Sequence, residues 1–266
     1  MKQIDSRAYV DPKAQIADNV RIDAFAYIEG DVEIGEGCHI HPFACIRDGA
    51  RLGKNNEVFE NAVIAATPQD FRWKGEESYV RIGDNNKIRE QVIINRGVRK
   101  GSATVVGNNS FIMAQTHIGH DSEIGDDCVI GNAVKIAGDV KIGNRTILSS
   151  NSLVHEKCHI GDLVLIKGGC RVNGHVPPFT VMAHNPISYF GVNAFILKLT
   201  KKTEETIEDI AKCYRHVYQT GTSVFNALRR IKEDVEESEE RNLIISFIED
   251  HDLVIAAIAM HENEEE

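Results

Sequence analysis

The 266-residue sequence is informative first through what it lacks. No stretch approaches the ~20 apolar residues a membrane helix needs, so no stable membrane insertion is expected. The N-terminal Met1-Lys-Gln-Ile-Asp-Ser-Arg7 has no apolar h-region. No secretory signal is therefore expected, and the chain reads as cytoplasmic. The six cysteines (Cys38, Cys45, Cys128, Cys158, Cys170, Cys213) are scattered and form no Cys-x-x-Cys pair. This argues against a zinc ribbon or a disulfide scaffold and for buried, reduced thiols. A basic surplus is missing as well. The net charge is −10, and residues 201–266 hold 17 acidic and 8 basic side chains, which leaves the rest near neutral. Phosphate backbones bind net basic surfaces, so nucleic acid is not an expected partner.

What is present is a period of six. Stepping from Ile4 by six reaches Val10, Ile16, Ile22 and so on to Ile64, then Ile82, Ile88 and Ile94, then Val106 to Val172; 26 of the 29 positions carry Ile, Val or Leu. Asp70, Glu76 and Lys100 are the exceptions. Six fits neither the 3.6 of a helix nor the 2 of a simple strand. It fits a parallel β-helix of hexapeptides, each apolar residue pointing into the solenoid axis. With three hexapeptides to a triangular coil, about ten coils are expected. Gly and Asn are expected to cluster at the corners (Gly35, Gly53, Gly83, Gly107, Gly125, Gly143 and Gly161), where tight turns favour residues tolerant of positive φ.

Two interruptions, 65–81 and 95–105, keep the phase but place charge on the grid. Long loops in a compact repeat protein are expected to be functional, and the first holds the only tryptophan, Trp73. After Val176-Pro177-Pro178 the grid stops. The division is a β-helix over 1–185 and a helical subdomain over 186–266. Candidate helices span about 190–199, 204–219, 222–236 and 240–260, with Thr203 capping the second. The final 261–266 reads as a solvated tail.

Chemistry is expected at Gln115-Thr-His117-Ile-Gly-His120-Asp121, two histidines and a carboxylate in place of small polar filler, near the outside of one coil. An imidazole held by a carboxylate is the common form of a general base. One coil further, Gly138 should stack on His120 at the inter-strand spacing, where its N–H could stabilise an oxyanion. Asp139 should stack on Asp121, a repulsive pair unless water, a cation or a basic side chain intervenes. His155 lies two coils beyond Gly119. His117, His120, Gly138 and His155 thus converge on one edge.

The ordered motifs resemble those of the bacterial UDP-N-acetylglucosamine O-acyltransferase family, which takes the first step of lipid A synthesis. Pro68-Gln-Asp-Phe-Arg-Trp-Lys-Gly-Glu76, Ile88-Arg-Glu with Ile94-Asn-Arg-Gly, Ala114-x-x-His117-Ile-x-His120-Asp121, Val154-His155, Val176-Pro-Pro-Phe and Phe190-Gly-Val-Asn193 carry the likeness. The resemblance implies a left-handed helix, a homotrimer with active sites between subunits, and transfer of a 3-hydroxyacyl chain from acyl carrier protein to the 3-hydroxyl of UDP-N-acetylglucosamine. His120 would be the base, oriented by Asp121, and the Gly138 N–H would hold the oxyanion. Gln69, Asp70 and Arg72 would contact the sugar nucleotide, and His117, His155 and Asn193 would line its site. Gly168 would be the acyl-chain ruler, and its small size implies a long chain. No cofactor and no metal are implied.

Four positions depart from the family's usual residues: Asp139 for His, Leu199 for a basic residue, Phe195 for an acidic one and Glu156 for Gln. These leave room for a related acyltransferase with a 3-amino sugar nucleotide or a coenzyme A donor. An N-acyltransferase of the same pathway carries an extra N-terminal domain, whereas this repeat begins at Ile4. Two readings of another class are a zinc enzyme using His117, His120 and His155, and a silent scaffold.

Overall fold

The computed structural model describes residues 1–251, and over these the chain winds into a left-handed parallel β-helix closed by helices. Each of the 26 apolar grid residues lies in its own strand of two to four residues, from Gln3–Ile4 to Arg171–Val172. Three in succession make one coil, so the regular solenoid has nearly nine coils rather than ten. The difference is Asp70, Glu76 and Lys100, which lie in the two interruptions and outside any strand.

Strands stack into three parallel sheets. Gln3 pairs with Arg21 and His117 with Lys135, an 18-residue step. Where the first interruption intervenes the step becomes 30, Val63 pairing with Ile93; across the second it is 24, Ile93 pairing with His117. The extra residues are whole hexapeptides, so the inward phase survives. From Ile22 to Val172 the apolar grid residues are buried. Full burial of one such side chain contributes about 2 kcal/mol, and the summed burial offsets the ordering of many short strands. The first coil has no neighbour on its outer side, and Ile4 remains 43% exposed.

The corners bear out the asparagines and correct the expectation for the glycines. The left-handed residue of each turn sits three places after the core residue and is seldom glycine: Asn19, Phe25, Asn85, Gln115, Asp121 and Asp139 all have φ between 54° and 64°. The glycines one place after the core have no positive φ. They are needed for close approach, since a methyl group on Gly35 would lie 2.3 Å from the carbonyl oxygen of Gly53 in the next coil. All six cysteines are free, and five of them are buried.

The last coil is closed by a hairpin, Thr180–Ala183 with Ser188–Val192, the second strand running antiparallel. It occupies the start of the helix expected over 190–199, and α1 begins only at Ala194 (Ala194–Leu199). Then come α2 (Glu204–Tyr218), α3 (Val224–Asp234) and α4 (Glu239–Glu249). Thr203 caps α2 by accepting from the Thr206 N–H. Tyr214 of α2 is fully buried and donates to the Pro178 carbonyl, and Tyr218 stacks on Tyr189 at 4.5 Å. The end of the fourth expected helix and the acidic tail at 261–266 lie outside the described residues. No helix among the described residues is long and apolar enough to cross a membrane.

Where α4 meets the solenoid, His159 Nδ1 lies 2.8 Å from His251 Nε2, and its ring packs on Phe247. Burial first, then the charges of His251, Lys141 and His175, push the His159 pKa from 6.5 down to about 4. A histidine kept neutral only in the folded state binds fewer protons there than when unfolded. Its stabilising contribution is complete above about pH 6.5 and is lost as pH falls toward about pH 4. The melting temperature should therefore drop across this window, and His159→Gln should drop less than wild type. Equal slopes in a thermal-shift series would refute the assignment.

Candidate active site

Both interruptions leave the second sheet and return to the third, so they emerge at one corner, after Val63–Ala66 and after Ile93–Asn95. The next turn at that corner is Gly119–His120–Asp121, and the one after it contains Gly138 and Asp139. The loops lean on each other. Asn95 Nδ2 donates to the Thr67 carbonyl at 2.8 Å, and the Arg96 guanidinium lies 5.3 Å from the centre of the Trp73 ring. This cover is why His120, expected near the outside, is only 8% exposed.

His120 Nδ1 lies 2.9 Å from Asp121 Oδ2. An ionised carboxylate can only accept, so Nδ1 carries a proton and Nε2, on the far side of the ring, is the atom left to take up another. Asp121 is fixed on all sides. Its backbone N–H donates to Thr104 Oγ1 at 2.8 Å, its Oδ2 also accepts the Val98 N–H at 2.8 Å, and Arg99 lies 3.2 Å from Oδ1. Burial works to raise its pKa. The nearby Ser102 hydroxyl, the hydrogen bonds with Val98 and His120, and the Arg99 charge outweigh it and hold the carboxyl below its ordinary value.

Asp70, from the first loop, reaches the other side of the ring, its Oδ2 3.3 Å from His120 Nε2. Arg72 grips Asp70 with its guanidinium at 2.7 Å and its backbone N–H at 2.7 Å, and these contacts hold Asp70 far below the carboxylate range. A carboxylate facing Nε2 favours the imidazolium that forms once the base has taken a proton. Gln69 and Arg72 are exposed beside it.

Gly138 sits directly under the ring. A methyl group there would lie 2.3 Å from both Cε1 and Nε2 of His120. Its N–H donates to no group among the described residues, so it is free for an oxyanion. Asp139 does stack near Asp121, and the intervening cation is Arg99, 2.7 Å from Asp139 and 3.2 Å from Asp121. That something must separate the two carboxylates was legible in the repeat, but that it is Arg99 depended on the path of the second loop.

His117 is half-buried on the adjoining strand, and burial, then Lys135 and His120, lower its pKa, so it is neutral near pH 7. His155 is exposed, at the same corner two coils beyond Gly119. Two expected residues are not brought here within one chain. Asn193 stands just before α1 without capping it through its side chain, whose Nδ2 donates to the Leu163 carbonyl at 2.9 Å, at the corner between the third and first sheets. Gly168 stands at the corner between the first and second sheets, over Ser150. The zinc arrangement weighed for His117, His120 and His155 is not formed. Among the described residues, the group whose ligand atoms gather is Asp23, His39 and His41.

A buried His–Asp pair whose Nε2 faces a second carboxylate, beside an unpaired N–H, can take a proton from an attacking hydroxyl and hold the oxyanion formed on the carbonyl it attacks. The chain is similar to several known proteins. A sequence model described as "Udp N-acetylglucosamine O-acyltransferase; Domain 2" matches residues 175–255, and "Bacterial transferase hexapeptide (six repeats)" matches 13–48 and 103–138. An acyl-[acyl-carrier-protein]–UDP-N-acetylglucosamine O-acyltransferase of Xanthomonas oryzae pv. oryzae (strain PXO99A) is 43% identical over 248 residues, 92% of this chain and 94% of that protein. The protein of the same name from Gloeothece citriformis (strain PCC 7424) is 33% identical over 177 residues, 66% of this chain and 64% of that protein, so the match spans just under two thirds of it. The crystal structure of a UDP-N-acetylglucosamine acyltransferase from Bacteroides fragilis 9343 superposes with a TM-score of 0.93 at 41% identity, over 97% of this chain and 100% of that one.

Proposed function

The chain belongs to the UDP-N-acetylglucosamine O-acyltransferase family, and from that premise we propose that it moves an acyl chain from acyl carrier protein to UDP-N-acetylglucosamine, the first step of lipid A biosynthesis, with His120 as general base. The observation that carries the proposal is the His120 ring clamped between Asp121 and Asp70 and resting on Gly138. Nε2 takes the proton of the sugar 3-hydroxyl as its oxygen attacks the thioester carbonyl. Asp121 and Asp70 stabilise the imidazolium. The tetrahedral oxyanion accepts from the Gly138 N–H, then collapses and expels the thiolate, to which His120 returns the proton.

Gln69, Arg72, His117 and His155 contact the sugar nucleotide. Asn193 and Gly168 act from the neighbouring subunit of a homotrimer, which accounts for their distance from His120 within one chain. The enzyme works in the cytoplasm. Purified protein should convert UDP-N-acetylglucosamine when given carrier protein loaded with 3-hydroxyacyl chains, and sediment as a trimer. Transfer to a 3-amino sugar nucleotide alone, transfer from coenzyme A alone, or a stable monomer would each overturn part of this reading.

Acyl carrier protein is acidic, so it docks on basic positions away from the acidic helical region. Lys157, Lys167 and Arg171 are exposed near the last coils, and Lys167 Nζ lies 3.5 Å from the centre of the Phe190 ring. Arg145, exposed as well, is engaged with Asp127. Lys167→Glu or Arg171→Glu should raise the apparent KM for carrier protein about 3–10-fold, most at low salt, and leave the KM for the sugar nucleotide unchanged. Steady-state kinetics showing the reverse pattern would place docking elsewhere.

A further inference from the structure

A second group of metal-ligating side chains converges far from His120. Asp23, His39 and His41 offer one oxygen and two nitrogens that all lie within 4.8 Å of one another. The coil repeat builds the set. His39 and His41 flank the core residue Ile40, so both project to the outside of the first sheet. Arg21 pairs with His39 across that sheet, which places Asp23 one coil before His41. His39 Nε2 lies 2.7 Å from Asp23 Oδ2, and the two imidazole rings face each other with centroids 3.8 Å apart.

The surroundings orient the three groups. Arg21 Nε holds Asp23 Oδ1 at 2.8 Å and turns Oδ2 toward the histidines. Phe59, one coil on, covers His41 at 4.3 Å, and Glu60 Oε1 lies 3.8 Å from His41 Nδ1. All three donors are half-buried, and they stand on a rigid base, since Ile22 and Ile40 are sealed in the core. The group lies in the second and third coils, whereas His120 stands in the sixth, on a different corner.

We propose that Asp23, His39 and His41 bind a divalent transition-metal ion of the zinc class, which ties the second coil to the third. Two imidazoles and one carboxylate suit zinc, cobalt or nickel and leave a further position for water or Glu60. The set has too few oxygens for calcium and no thiolate for softer ions. Binding would replace the proton shared by His39 Nε2 and Asp23 Oδ2. Its location gives it a structural use, because only the first coil separates this group from the open end of the solenoid, where fraying starts.

The test needs no activity assay. The full chain, stripped with a chelator, is titrated with Zn²⁺ by calorimetry and with Co²⁺ by absorption. The expected result is one ion per chain with a Kd of about 10 µM or tighter, cobalt ligand-field bands, and a melting temperature that rises with Zn²⁺. His41→Ala and His39→Gln should each weaken binding on the order of 100-fold with circular dichroism unchanged, because neither side chain is in the core. No binding at about 100 µM Zn²⁺ would overturn the proposal. So would equal binding by wild type and both variants, which would assign the ion to another group such as His159, His175 and His251.

Discussion

Replacing His120 with alanine should cut the acyl-transfer rate by about 10²–10⁴-fold, the usual worth of a general base, and leave the fold intact. The rate falls because no other group can stand in. Asp70 and Asp121 flank the ring but are held below the ordinary carboxylate range, Asp70 first by Arg72 and Asp121 by its hydrogen bonds against burial. They are too weak as bases to replace an imidazole. The fold survives because His120 is not a grid residue, and Asp121 keeps the Val98 N–H, Thr104 and Arg99 when the ring is gone. The loss should appear equally in kcat and kcat/KM, as expected for an interaction made only in the transition state. Steady-state kinetics with both substrates, alongside circular dichroism, checks this. Near-wild-type turnover in a folded variant would remove His120 from the mechanism.

The period of six made the solenoid legible to the strand, because a residue that points into a narrow axis must be apolar every time. Its three failures marked the two loops, because a charge cannot occupy that axis. The glycines misled. Their recurrence reflects backbone crowding between coils, as at Gly35 against Gly53, and a single coil read by itself does not show the coil below it. At the site, the stacking of His120 on Gly138 and of Asp121 by Asp139 followed from the 18-residue step alone. Arg99 and the inward turn of Asp70 did not, because both ride on irregular loops whose path is set by contacts such as Asn95 to Thr67. The roles proposed for Asn193 and Gly168 require chain association, which a repeat pattern within one chain leaves open.

Gly138→Ala should be almost as damaging to the rate as the loss of His120, about 10²–10³-fold, the scale of losing one oxyanion donor. The cause is steric and local. Gly138 has no left-handed φ, so alanine meets no backbone penalty there. Its methyl group would, however, lie 2.3 Å from Cε1 and Nε2 and 2.9 Å from Cδ2 of His120, well inside carbon contact distance. The ring cannot give way cheaply, being held at Nδ1 by Asp121 and faced at Nε2 by Asp70. Either the imidazole tilts off its partners or the backbone carrying the oxyanion donor shifts, and both spoil the reacting geometry. The two positions should therefore be strongly coupled. In a His120→Ala background the methyl group has space, so adding Gly138→Ala should cost little further rate and recover any melting temperature lost in the single variant. Additive losses in this double-mutant cycle, or a Gly138→Ala enzyme within a few-fold of wild type, would show that the ring does not rest on Gly138 during turnover.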